Sequence, residues 1–117
     1  MSLLLQEIQA RVDQWVQTQG VRYFDPMTNM VLLSEEIGEL ARLMAREYGE
    51  QSYKAGERRG KEAIIDEMAD VLWVLICLAN QMGISLTQAF EANLKKKLNR
   101  DAVRHQQNFK LRPRQEN

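Results

Sequence analysis

Apolar residues recur along this chain at intervals of three and four, and that rhythm predicts four helices. Leu4, Ile8, Val12, Trp15 and Val16 form one stripe, giving a first helix from about Ser2 to Gln19 with Gly20 as its stop. A short connection, Val21 to Asp25, follows. Asp25-Pro26 then reads as an N-cap with proline at the first helical position. The second helix runs to about Tyr48 and ends at Gly49. Glu50 to Gly60 is polar and aperiodic, which predicts a mobile loop. The third helix covers about Lys61 to Met82 and stops at Gly83. Its run Val71 to Ala79 is apolar on every side, so neighbours must surround it, and a second subunit is the expected source of that cover. Ser85-x-x-Gln88 resembles a capping box opening a fourth helix from about Leu86 to Arg104.

Composition narrows this pattern to one kind of protein. A chain of 117 residues suffices for a single core. Two prolines, six glycines and few β-branched runs point to an all-α domain over residues 1–105, with a polar, disordered tail over 106–117. Cys77 is the sole cysteine, which excludes an internal disulfide and fits a reducing compartment. The longest apolar run is too short to span a bilayer, and the N-terminus lacks the order of a signal peptide. The expected location is the cytoplasm.

A formal net charge of zero removes any global field that would draw in a nucleic-acid polymer or a membrane. The distribution is uneven, however. Half of the 16 Lys and Arg residues lie from Lys95 to Arg114, while acids concentrate in the middle. Two acidic clusters, Glu35-Glu36-x-x-Glu39 and Asp66-Glu67-x-x-Asp70, interrupt stretches that otherwise read as buried helix.

Helical geometry turns these clusters inward. At about 100° per residue, Leu32, Leu33, Leu40 and Leu43 all fall within roughly 60° of Glu36. Ala63, Val74 and Cys77 surround Asp70 in the same way. In an antiparallel hairpin, Glu39 and Asp70 would both lie roughly 13 Å from the connection by helical rise, so the clusters would meet. Buried carboxylates without a partner cost several kcal/mol or take up a proton. Four of them at one level call for a cation, and oxygen-only ligands suit magnesium or manganese. The competing reading is a solvated face paired with Arg42, Arg46 and Lys61.

The contexts Leu33-Ser-Glu-Glu-Ile-Gly-Glu-Leu-Ala41 and Asp66-Glu-Met-Ala-Asp-Val-Leu72 resemble the MazG-like nucleotide pyrophosphohydrolases of the all-α nucleoside triphosphate pyrophosphatase superfamily. The resemblance spans about Asp25 to Arg100. It implies a four-helix bundle-like MazG fold that oligomerises through its helical core as a homodimer or homotetramer. It also implies magnesium-dependent cleavage of a (deoxy)nucleoside triphosphate between the α and β phosphates, to monophosphate and pyrophosphate, as in house-cleaning of non-canonical nucleotides. By the same resemblance Glu36, Glu39, Glu67 and Asp70 would hold the metal, and Glu35 would orient or deprotonate the attacking water. Lys96, Lys97, Arg100 and Asn93 of the fourth helix would touch phosphates, and Tyr23 and Phe24 would contact the base. The chain departs from the family pattern in two places: Asn93 stands where lysine is expected and Lys97 where asparagine is expected.

Two readings from other classes compete. One is a non-catalytic dimeric helical module that binds a partner, for which clustered acids without a metal would be costly. The other is a di-iron bundle, which would need Glu-x-x-His pairs that this sequence lacks near either cluster.

Overall fold

Helix α1, Leu5–Thr18, ends against Gly20, where a Cβ would meet the Trp15 ring at 3.0 Å. The chain then makes a γ-turn in which the Arg22 amide donates to the Gly20 carbonyl at 2.9 Å, leaving Val21 at φ 71°. A β-branched residue there is strained. Helix α2, Pro26–Glu47, begins at Pro26 as its sequence dictates. Asp25 holds the capping position without a side-chain hydrogen bond, and its carbonyl accepts from the Asn29 amide. The computed structural model that shows this describes residues 2–113.

Helix α3, Gly60–Gln81, closes in a Schellman motif. The Ile84 amide donates to the Ala79 carbonyl and the Gly83 amide to Asn80, which requires Gly83 at φ 68°. Helices α2 and α3 form an antiparallel hairpin with two separate apolar clusters between them. Leu33 packs with Val74 and Leu78, supported by Leu32 and Val71. Leu43 packs with Ala63 and Ile64, supported by Leu40 and Tyr53. On both helices the acidic residues lie between these clusters in sequence, so they occupy the gap.

Helix α1 packs on α3 through polar and aromatic contacts. Gln9 Nε2 donates to Asn80 Oδ1 at 3.0 Å, and Asn80 Nδ2 donates to the Gln9 carbonyl at 2.9 Å. Tyr23 donates its hydroxyl to Asp13 at 2.7 Å and accepts from Asn80 at 3.1 Å. Trp15 meets Trp73 edge to face, centroids 5.3 Å apart. The single buried polar residue named among the described residues, Asn29, is satisfied: its amide donates to Gln81 Oε1 at 2.8 Å and to the Phe24 carbonyl.

The stretch expected to be a mobile loop, Glu50 to Gly60, carries specific contacts to the helices on either side. Arg46 Nη1 lies 3.2 Å from Glu57 Oε2 with both side chains largely buried. Tyr53 donates to Glu47 Oε2 at 2.7 Å and accepts from the Gly60 amide at 3.2 Å, and Arg59 stacks over the Tyr53 ring. These partners lie on both flanking helices, which is why loop composition alone did not reveal them.

The residues through Ile84 form one compact unit and those from Ser85 a second. In the second, Ser85 Oγ accepts from the Gln88 amide at 3.3 Å and opens α4, Leu86–Lys96. The single fourth helix expected to reach Arg104 is divided: a π-helical turn, Lys97–Asp101, precedes α5, Ala102–Gln106. Beyond it, in the segment expected to be a disordered tail, Asn108 Oδ1 caps a 3-10 turn over Phe109–Leu111. Residues 114–117 of that tail lie outside the described residues.

Candidate metal centre

Carboxylate oxygens of Glu36, Glu67 and Asp70 lie within 4.8 Å of one another. The approach follows from phase. Glu36 shares its face of α2 with Leu33 and Leu43, and Glu67 and Asp70 share theirs with Ala63 and Val74, so packing the two apolar clusters forces the acids together. Oε2 of Glu36 and Oε2 of Glu67 are buried and meet no hydrogen-bond donor. The groups facing them are other carboxylates.

Electrostatics follow from that crowding. Burial raises the pKa of Glu36, and the nearby Glu39 and Asp70 charges raise it further, against a lowering contact from Glu67. Burial likewise pushes Glu67 up to about 7, with Glu36 and Glu39 adding to the rise. Both shifts run in the same direction, so the crowded metal-free cluster holds a proton more readily than separate carboxylates do. A divalent cation would displace that proton and satisfy both orphaned oxygens, so the residues present fit a hard, oxygen-preferring ion.

The cluster is more open than the inward phase alone suggests. Glu36 and Glu67 are half-buried, whereas Glu39 and Asp70 are exposed. Glu39 adjoins both half-buried glutamates. Glu35, which precedes Glu36 in sequence, is exposed. Of the cations in the solvated-face alternative, Arg46 pairs with Glu57, and among the described residues Asp66 is the one cluster acid with an ion pair, to Arg58 Nη2 at 2.6 Å. Asn93, Lys96, Lys97 and Arg100 all lie exposed in the second unit, Arg100 with its Nε 3.4 Å from Asp101.

A cavity of about 260 Å³ opens on the α1 side of the cluster. Trp15, Phe24, Leu32, Trp73 and Cys77 line much of it, with Tyr23 and Arg22 at its border. Leu32 is one turn from Glu36, and Trp73 follows Asp70 by three residues, so the cavity lies within about one helical turn of the acids along α2 and α3. The two aromatics expected to meet a base have different standing. Phe24 is exposed at 59% and free to stack. Tyr23 is half-buried with its hydroxyl committed to Asp13 and Asn80, and burial with the Asp13 contact pushes its pKa up to about 12. Asn29, Asn80 and Gln81, which frame this region, escaped the sequence reading because their partners are 52 to 71 residues away.

Comparison with known proteins agrees with this geometry. Residues 24–105 match the MazG nucleotide pyrophosphohydrolase domain family. The uncharacterized protein YpjD of Bacillus subtilis is 41% identical over 100 residues, covering 86% of this chain and 88% of its own length. The crystal structure of YpjD superposes with a TM-score of 0.73 at 40% identity, covering 82% of this chain and 96% of its own. That of a Bacillus-conserved MazG protein, a nucleotide pyrophosphohydrolase, superposes at 0.72 with 33% identity, covering 87% of this chain and 97% of its own.

Proposed function

Because this chain belongs to the MazG nucleotide pyrophosphohydrolase family, we propose that it cleaves a (deoxy)nucleoside triphosphate between the α and β phosphates in a magnesium-dependent reaction. The observation that carries this reading is the convergence of Glu36, Glu67 and Asp70 with two donorless buried oxygens. With Glu39 they would hold the cation, which supplies neutralisation of phosphate charge when bound. Glu35, exposed and next to Glu36 in sequence, accepts a proton from the water that attacks the α phosphorus. The bond to the bridging oxygen breaks, and its electron pair leaves with pyrophosphate. Phe24 and the ring of Tyr23 contact the base at the apolar cavity. The functional domain in this reading is 1–105, and the phosphate-contact roles of Asn93, Lys96, Lys97 and Arg100 rest on the family resemblance.

Self-association belongs to the same proposal. Ile65, Met68, Leu72 and Leu75 form an exposed apolar stripe along α3 at the spacing of a helix seam, continued by Met82 at its C-cap. A homodimer or homotetramer covers it, and a strictly monomeric mass by light scattering at micromolar concentration would count against that. No described helix is long and apolar enough to cross a membrane. Buried, unpaired Cys77 fits a cytoplasmic location. The decisive assay is pyrophosphate release from a panel of nucleoside triphosphates, with and without magnesium. Release from none of them, or release indifferent to magnesium, overturns the reading.

A further inference from the structure

On the side of the acids facing the 49–59 connection lies a second cleft, of about 240 Å³, lined by Arg42, Leu43, Glu57, Arg58, Ala63 and Glu67. Its charges are not equivalent. Glu57 is occupied by Arg46 in a largely buried pair, which anchors the connection and sets the neighbouring Arg58 at the cleft. Arg58 in turn reaches only Asp66, with 67% and 58% of the two side chains exposed. Water screens such a pair, so a multiply charged anion can take the guanidinium from it. Arg42, one turn past Glu39, makes no ion pair among the described residues. Arg42 and Arg58 therefore share with Glu67 a cleft toward the connection, whereas the aromatic cavity lies toward Leu32 and Val74.

We propose that Arg42 and Arg58 bind the β and γ phosphates of the substrate. The nucleotide then lies along the α2–α3 groove with its base at the Trp15–Trp73 end and its leaving group at the connection between the helices. This orientation rests on the hydrolase reading above. When the α–β bridge breaks, the departing pyrophosphate gains the electron pair, and the planar forks of two arginines match its oxygens. The reverse orientation would press the most charged part of the substrate into an apolar cavity, where desolvation has no compensation.

The test uses the full chain and calorimetric titration with inorganic pyrophosphate in the presence of magnesium, which needs no turnover. Arg42→Gln and Arg58→Gln should each weaken pyrophosphate binding roughly tenfold. Arg58→Lys, which keeps charge and loses the fork, should fall between. Both positions are exposed, so the variants should fold, which circular dichroism checks. Asp66→Asn separates ligand contact from loop tethering: it frees Arg58 and should leave affinity equal or tighter. Undiminished affinity in both glutamine variants, an equal loss in Asp66→Asn, or no pyrophosphate binding by the parent protein each overturns the assignment. A parent protein that binds pyrophosphate through these arginines yet hydrolyses no triphosphate keeps this site and removes the hydrolase reading. Normal turnover with unchanged pyrophosphate affinity in both glutamine variants does the opposite.

Discussion

On one side of the acids, Trp15 of α1 and Trp73 of α3 meet edge to face and Phe24 lines an apolar cavity; toward the connection between α2 and α3, Arg42 and Arg58 line a polar cleft with Glu67. The acids sit between. The apolar end is held by long-range hydrogen bonds among Gln9, Asp13, Tyr23 and Asn80, the polar end by the Arg46–Glu57 pair and the Tyr53 contacts. A triphosphate is itself polarised, with an aromatic base at one terminus and its charge at the other, and the proposed orientation matches that polarity to the two regions.

The largest effect should come from the centre that both ends share. Glu36→Gln or Asp70→Asn should lower pyrophosphate release at least about a hundredfold, since a ligand and its charge are both lost. The same variants should fold normally by circular dichroism and melt at a higher temperature without metal, because like-charge repulsion is relieved. Full activity in either would remove that residue from the metal site.

Breaking the apolar end alone should be milder and selective. Phe24→Ala should raise KM for the triphosphate roughly tenfold through lost stacking, with pyrophosphate affinity unchanged. A matching loss of pyrophosphate affinity would mean that the two ends are not separate.

The acids themselves should respond to pH. Glu67 is raised from 4.5 to about 7 in the folded chain, so between those values the folded protein binds more protons than the unfolded one. Stability therefore falls as pH rises through that window. The metal-free melting temperature should be higher near pH 5 than near pH 8, and Glu67→Gln should flatten the difference. Magnesium affinity should run the other way, rising with pH until Glu67 is deprotonated. A metal-free melting temperature that climbs from pH 5 to 8 with no decline would contradict the raised Glu67 pKa.

The smallest effect concerns the border of the apolar cavity. Val21→Gly relieves a left-handed backbone and gives up unfolded-state order, for a net gain of a few tenths to about 1 kcal/mol in chemical denaturation. A loss of stability there would show that the valine side chain contributes a contact outweighing the strain.

What the sequence determined by itself was local and periodic. The ends of α2 and α3 fall within a residue of expectation, because Pro26, Gly49 and Gly83 act through their own backbone geometry. The meeting of the two acidic clusters was legible too, since the 3.6-residue turn places Glu36, Glu67 and Asp70 on the same faces as the leucines and alanines that must pack. Tertiary structure decided the rest. The anchoring of the 49–59 connection, the commitment of the Tyr23 hydroxyl to Asp13 and Asn80, and the delivery of Arg42 and Arg58 to one cleft each depend on groups from separate elements meeting in space. Periodicity reports which way a side chain faces along its own helix. It carries no information about which of several surface arginines will find a carboxylate, and that choice is settled only when the helices have packed.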